Sequence, residues 1–131
     1  MENPPKVLLL QKLHPSMEQH LTDFDFLKPW ESSESLPDFL STHSDEIRVI
    51  LCSEPIVIDA ARIAMLPKLE TIINGTKGVD LIDLEKCRAR GIAVTNAGTM
   101  FSEDAADFAV GFVLCLLRRI SVADSYVRGD M

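Results

Sequence analysis

Short apolar runs alternate with amphipathic stretches along the chain, and this alternation predicts strands separated by helices. The predicted strands cover residues 7–10, 24–27, 49–52, 69–73 and 92–95. Continuous apolar runs are typical of strands that are covered on both faces. Strands joined through helices pair in parallel by right-handed crossovers. The pattern therefore predicts a flavodoxin-like, doubly wound α/β domain with a parallel five-stranded sheet.

Prolines and capping residues set the bounds predicted for the first helices. Ser16 can cap a short helix that runs to about residue 21. Pro37 fits only the first turn of the helix that follows. A third helix covers residues 58–66, and Pro67 ends it.

The later part of the chain has clearer signals at its helix ends. Asp83 can cap a helix over residues 84–90, and Gly91 lies where a left-handed residue is favoured. A last helix is predicted to begin at Ser102 and to continue to at least Ile120. The predicted domains are therefore a substrate-side domain at residues 1–101 and one long helix over residues 102–128.

The last predicted helix has an unusual composition. Residues 108–117 are all apolar, counting Gly111, so nearly three turns have no polar face. A helix that is apolar all round must be covered all round, and a five-stranded sheet can cover only one side. We expect the remaining cover to come from another domain or another subunit, the alternative being an exposed apolar patch.

Charge, cysteine content and the apolar segments argue against several kinds of partner and location. The net charge is -7 and the pI is about 4.8, which argues against nucleic acid or an anionic membrane as a partner. Cys52, Cys87 and Cys115 form no CxxC pair and fit reduced thiols. Residues 1–5 show no secretory signal, and residues 105–117 are too few for a membrane span and include Asp107. We expect a cytoplasmic protein.

Ligands of doubly wound folds gather at the carboxyl ends of the strands, here residues 53–54, 74–78 and 96–101. In residues 74–78, Gly75 and Gly78 let the backbone turn and present N–H groups to an anion, and Lys77 adds a positive charge. The alternative is an ordinary strand-to-helix turn with a solvated lysine.

The histidines and Cys52 are expected to have structural rather than catalytic roles. His14, His20 and His43 are expected at the surface, and Cys52 is expected to be a small buried apolar side chain rather than a reactive thiol. The chain contains no metal-binding motif that we recognise. Its six glycines, at 75, 78, 91, 98, 111 and 129, do not form the G-x-G-x-x-G fingerprint of a dinucleotide site.

Five segments together resemble the D-isomer-specific 2-hydroxyacid dehydrogenases, in particular the plant glyoxylate, hydroxypyruvate and hydroxyphenylpyruvate reductases. They are LPKLE at 66–70, KGVDLID at 77–83, RGIAVTN at 90–96, SEDAADFAVG at 102–111 and LLRRI at 116–120. Their order and spacing match the family over about residues 47–128, whereas the earlier part is compatible in pattern only.

The resemblance implies hydride transfer from NADPH or NADH to a small 2-oxo acid. It implies that backbone amides of the loop at Thr76, Lys77 and Gly78 bind the substrate carboxylate, that Lys77 adds attraction for it, and that Ala105 contacts the cofactor. The family's glycine fingerprint and its catalytic arginine, acid and histidine have no counterpart in these residues. The resemblance also implies that the last helix passes between domains and contributes to a dimer.

These expectations lead to one interpretation and two alternatives. The chain is the amino-terminal part of a truncated 2-hydroxyacid dehydrogenase, without its nucleotide-binding domain and inactive alone. Alternatively, it is a non-catalytic module that pairs with full-length reductase subunits through its apolar helix. A stand-alone flavodoxin-like binder of small molecules is the third possibility, and it leaves that helix unexplained.

Overall fold

A computed structural model describes residues 6–129, and the chain divides into two units, residues up to 97 and residues from 98 onwards. The expectation concerning residues 1–5 lies outside the described residues. Each unit has its own secondary structure: the first is an α/β sheet structure and the second is helical.

Over residues 6–97, the first unit contains five strands and four α-helices. The strands are β1 (Lys6–Leu9), β2 (Asp25–Leu27), β3 (Ile47–Cys52), β4 (Thr71–Asn74) and β5 (Ala93–Thr95). The helices are α1 (Pro15–Glu18), α2 (Leu36–Thr42), α3 (Ala60–Ala64) and α4 (Leu84–Arg90), with a 3-10 turn at Pro29–Glu31. All strand pairs are parallel and the strand order is β2-β1-β3-β4-β5. This order confirms the predicted flavodoxin-like sheet.

The core lies between the sheet and the helices that cover it. Consecutive residues Val7, Leu8 and Leu9 of β1 are all buried, as expected for a strand covered on both faces. The side chains with 0% exposure in the main core cluster are Leu8, Ile47, Ile50, Ile58, Ile63, Leu66 and Ile72.

Helix α4 begins and ends where its capping residues predict. The Asp83 carboxylate accepts a hydrogen bond from the Lys86 N–H at 2.8 Å, which caps the first turn. Gly91 ends the helix with φ at 69°, a left-handed conformation that costs glycine little because it has no Cβ.

The first and third helices are shorter than predicted. Helix α1 begins at Pro15, and its cap is His14, whose ring Nδ1 accepts from the Ser16 N–H. Proline suits the first helical position because it lacks an N–H, so the cap precedes it and Ser16 lies inside the helix. Helix α3 begins after Asp59, which caps it, because Ile58 pairs instead with Ile82 in an isolated parallel bridge.

The prediction of one long helix is wrong, because over residues 98–129 the second unit contains two helices. Helix α5 (Ser102–Leu117) ends before a second helix, α6 (Ile120–Arg128). Arg119 separates them with φ at 52°, and a left-handed residue cannot continue a right-handed helix. No glycine or proline marks this break, so the sequence pattern gave no sign of it.

Apolar side chains of the second unit are exposed. Helix α5 has no buried residue, although residues 108–117 are all apolar. Phe108 and Phe112 contact each other edge to face on its surface, with ring centroids 4.6 Å apart. Within residues 6–129, no helix combines the length and the apolar character that crossing a membrane requires.

Candidate functional site

A crevice of about 210 Å³ lies in the first unit, at the carboxyl ends of β3 and β4. This is the edge of a doubly wound sheet where ligands bind. The loop after β3 forms one side of the crevice and the loop between β4 and α4 forms the other. The lining residues are Cys52, Pro55, Ile56, Asn74, Thr76, Gly78, Asp80, Leu81 and Ile82.

Asn74, the last residue of β4, connects the two ends of the loop that follows it. Its Oδ1 accepts from the Thr76 N–H at 3.3 Å and from the Thr76 hydroxyl at 3.0 Å. Its Nδ2 donates to the Gly78 carbonyl at 2.7 Å. The side chain is only 5% exposed, and a buried amide must be hydrogen-bonded to offset its desolvation.

Three consecutive carbonyl groups of this loop have hydrogen-bond partners within the first unit. The Thr76 carbonyl accepts from the Ala97 N–H at 3.0 Å. The Lys77 carbonyl accepts from Asn96 Nδ2 at 2.8 Å. The Gly78 carbonyl accepts from Asn74 and also lies 3.1 Å from the Thr76 hydroxyl. These bonds fix the orientation of three successive peptide groups.

Gly75 allows the loop to approach β3 closely. Its N–H donates to the Cys52 carbonyl at 2.7 Å. A Cβ at this position would lie 3.2 Å from that carbonyl oxygen and 3.2 Å from the Ser53 Cα, both backbone atoms that cannot easily move. A side chain here would make tight contacts that the start of the loop relieves only by moving a few tenths of an ångström away from β3, so packing favours glycine.

The crevice contains a buried thiol and a carboxylate. Cys52 is 1% exposed, and burial raises the pKa of its thiol, so the thiol stays protonated. Asp80 lines the same crevice, and its Oδ2 lies 3.4 Å from where a Cβ on Gly78 would be. Cys52 is thus a small buried side chain, as predicted, and not an activated nucleophile.

The predicted substrate-binding residues lie together, whereas the predicted cofactor contact lies elsewhere in the chain. Thr76 and Gly78 line the crevice, and Lys77 between them is exposed. Ala105 lies in the first turn of α5, in the second unit, and is exposed. The part of the chain that the structure describes contains no group of three or more His, Cys, Asp or Glu side chains suited to hold a metal ion.

Sequence reasoning missed the two asparagines that hold the loop. Asn74 and Asn96 each end or follow a strand, and each donates to a loop carbonyl. A polar side chain at the end of an apolar strand and directly before a glycine was an available signal, since Asn favours hydrogen bonds to nearby backbone. The partner of Asn96, Lys77, is 19 residues away, which the sequence pattern does not reveal.

Comparison with known proteins identifies the family. Residues 7–126 match the model of the D-isomer specific 2-hydroxyacid dehydrogenase catalytic domain. Because this match covers most of the chain, the chain belongs to the D-isomer-specific 2-hydroxyacid dehydrogenase family. The order β2-β1-β3-β4-β5 and the loop at the end of β4 are therefore features of a family member.

Individual relatives agree with this assignment. A glyoxylate/hydroxypyruvate reductase of Arabidopsis thaliana is 38% identical over 128 residues, which are 95% of this chain and 40% of the relative. The solved 2-hydroxyacid dehydrogenase of Ketogulonicigenium vulgare superposes with a TM-score of 0.83 at 31% identity, covering 95% of this chain and 39% of that protein.

A third relative was solved with ligands. The NADPH-dependent glyoxylate/hydroxypyruvate reductase of Sinorhizobium meliloti, in complex with NADP and malonate, superposes with a TM-score of 0.78 at 25% identity. The match covers 97% of this chain and 39% of that protein. The chain thus spans about two fifths of the length of these three relatives.

Proposed function

We propose that these residues form the substrate-side part of an NAD(P)H-dependent reductase that converts a small 2-oxo acid, such as glyoxylate or hydroxypyruvate, to the D-2-hydroxy acid. In this proposal, backbone amides at Lys77 and Gly78 bind the substrate carboxylate, and Thr76 borders the site with its own N–H held by Asn74 Oδ1. The observation that supports this proposal is the crevice at the carboxyl ends of β3 and β4. It is bordered by a loop whose peptide groups are held by hydrogen bonds to their carbonyls.

Lys77 is proposed to add electrostatic attraction for the carboxylate. Its position is exposed and lies between two crevice residues, Thr76 and Gly78. Because Asp80 also lines the crevice, a cation at Lys77 would offset part of its repulsion of an anionic substrate. An exposed charge acts through screened electrostatics, so its contribution is expected to decrease with salt.

The first unit does not fit a dinucleotide cofactor by itself. The N-termini of its four α-helices are capped by side chains of the chain itself, from His14, Ser35, Asp59 and Asp83. Two of these caps are carboxylates, which would repel a pyrophosphate. The close approach at Gly75 is to the backbone of Cys52 and Ser53.

Two further expectations concern the cofactor. Ala105, exposed in the first turn of α5, is the proposed contact, and its methyl group can supply packing but no charge. A polypeptide of these 131 residues is proposed to have no turnover alone, since hydride transfer needs the nicotinamide and a proton donor held against the carbonyl. No G-x-G-x-x-G segment is present in the sequence to hold that nucleotide.

The primary test assays the purified 131-residue polypeptide with NADPH and hydroxypyruvate. We expect no NADPH oxidation, but saturable binding of oxamate, an unreactive analogue of a 2-oxo acid, observed by two-dimensional NMR at the amides of Lys77 and Gly78. Sodium chloride at equal ionic strength is the control for non-specific anion effects. NADPH oxidation by polypeptide free of other reductases would contradict the proposed inactivity.

Substitution of Lys77 tests the electrostatic part of the proposal. Lys77→Ala should weaken oxamate binding by roughly threefold to tenfold at low salt, because one exposed charge pair contributes about 1 kcal/mol. Lys77→Arg keeps the charge and should retain most of the affinity. If Lys77→Ala binds oxamate as tightly as the unmodified chain, the Lys77 side chain does not contribute to binding. The proposed amide contacts would not be contradicted by that result.

The alternative function is a non-catalytic module that pairs with full-length reductase subunits. The exposed apolar side chains of α5, among them Phe108, Leu116 and Leu117, favour it, because apolar patches of this kind mark interaction surfaces. Co-elution of the 131-residue polypeptide with a purified full-length reductase of the family, lost in Leu116→Glu, would support pairing. A monomer that binds oxamate but pairs with no reductase would contradict this alternative.

A further inference from the structure

We infer that Asn74 is a positioning residue that holds both ends of the loop carrying the Lys77 and Gly78 amides and so determines the affinity for the substrate carboxylate. Among the described residues, Asn74 is the one polar side chain that is buried. Its donor and its acceptor are both used on the loop that follows β4, at Thr76 and Gly78. This inference rests on the proposed function, since it assumes that the loop binds a carboxylate.

The geometry of the peptide group links the carbonyls to the amides. The peptide bonds here are trans, so the C=O of one residue and the N–H of the next point in opposite directions. The Lys77 carbonyl is held by Asn96, which orients the Gly78 N–H away from Asn96. The Gly78 carbonyl is held by Asn74, which fixes the peptide group that directly follows the Gly78 amide.

Asparagine fits this role because one side chain must both accept and donate. Oδ1 accepts at the start of the loop, from Thr76, and Nδ2 donates at its end, to Gly78. Aspartate has no donor for the Gly78 carbonyl, and an apolar residue has neither group. Since Asn74 is 5% exposed, water cannot readily take its place.

The Thr76 hydroxyl assists Asn74 but cannot replace it. This hydroxyl lies 3.0 Å from Asn74 Oδ1 and 3.1 Å from the Gly78 carbonyl, and its single proton can be donated to only one of them. The hydroxyl therefore belongs to the support of the loop.

Asn74→Leu tests the inference because leucine has nearly the same shape and adds no charge. In the 131-residue polypeptide we expect oxamate to bind at least about fivefold more weakly, because a lost buried hydrogen bond leaves its partners unsatisfied. We also expect the amide resonances of Gly78 and Val79 to shift, while those of β1 and β2 stay in place. Unchanged oxamate affinity in a folded Asn74→Leu variant would overturn the inference and leave the proposed function standing.

A second set of variants tests the inference if Asn74→Leu does not fold. Thr76→Val removes the hydroxyl at constant shape and should weaken oxamate binding, although less than Asn74→Leu. Thr71→Val makes the same chemical change at the start of β4, away from the loop, and should retain affinity. Equal affinity of Thr76→Val and Thr71→Val would overturn the inference. If oxamate does not shift the loop amides of the unmodified chain, the proposed function and this inference both fail.

Discussion

The two units of this chain differ in the burial of their apolar side chains. Within residues 6–129, every buried apolar side chain belongs to the first unit, and the seven at the centre of its core are 0% exposed. In the second unit the apolar residues of α5 and α6 are exposed, and Leu116 reaches 76%. Both units have regular helices, so secondary structure alone does not distinguish a unit with a core from one without.

The difference shows which part of the chain has its own source of stability. Burial of apolar surface is the main favourable contribution to folding, and the sheet of the first unit supplies it. The helices of the second unit are held by backbone hydrogen bonds and local contacts, which leave isolated helices marginal in water. We therefore expect substitutions of the same kind to have large effects in the first unit and small ones in the second.

The largest contrast is expected between two leucines. Leu8→Ala, in β1, should lower the free energy of unfolding by about 2–5 kcal/mol, because it leaves a cavity at a fully buried position. Leu116→Ala, in α5, should change it by less than about 0.5 kcal/mol, since alanine is an equally good helix former and the side chain is exposed. Urea unfolding of both variants measures this. Comparable losses, dependent on protein concentration, would show that Leu116 is covered by a second copy in solution.

The next effect is expected at Arg90, the last residue of α4. Its guanidinium donates to the carbonyls of Ile63 at 2.5 Å, Leu66 at 2.9 Å and Pro67 at 2.9 Å, and so satisfies the end of α3. Arg90→Ala should cost about 2 kcal/mol in the urea unfolding experiment. Arg90→Lys should recover part of this, and Arg88→Ala on the exposed side of the same helix is the control. Equal stability of the Arg90 and Arg88 variants would contradict this role.

Cysteine reactivity gives a third, smaller contrast between the units. Burial raises the pKa of Cys52 and of Cys87, so both stay protonated and covered, whereas Cys115 of α5 is half-exposed. Iodoacetamide at pH 8 should alkylate Cys115 at least about tenfold faster than the other two, as followed by mass spectrometry of peptides. Denaturant should remove the difference. Slow alkylation of Cys115 in the folded chain would indicate that α5 is covered.

The smallest effect is expected at the surface of the first unit, where Lys6 pairs with Glu46. The hydrogen bond with Glu46 raises the pKa of Lys6, and the same bond lowers the pKa of Glu46. The stabilisation is present between the two ordinary pKa values. It is lost in acid as pH falls through the lowered pKa of Glu46, and in base as pH rises through the raised pKa of Lys6. Glu46→Gln should flatten the acid side of the stability profile slightly, and an unchanged profile would show that the pair contributes nothing.

The sequence predicted the sheet well because strand signals are local and repeated. All five strands were predicted, together with their parallel pairing, from apolar runs separated by helical stretches. Helix α4 was predicted with its bounds, since Asp83 and Gly91 act on their immediate neighbours. The errors at α1 and α3 arose where two signals compete: Pro15 moved the cap from Ser16 to His14, and Ile58 joined a bridge instead of a helix.

The break between α5 and α6 could not be predicted in the same way. Residues 118 and 119 are arginines, which are good helix formers, and the left-handed conformation of Arg119 has no local signal. The pattern did predict that residues 108–117 would lack a polar face, and they lie in α5 with no buried side chain. The continuity of the helix was the part of the prediction that was wrong.

By itself, the sequence determined the α/β class, the order of elements, the family and the loop at residues 74–78, because each depends on local composition and short spacings. Only the tertiary structure decided how that loop is held. The hydrogen bonds from Asn96 to Lys77 and from Ala97 to Thr76 join segments about 20 residues apart. The side chain of Asn74 is buried because β3, β4 and the loop meet there, and contacts of this kind exist only once the sheet has formed.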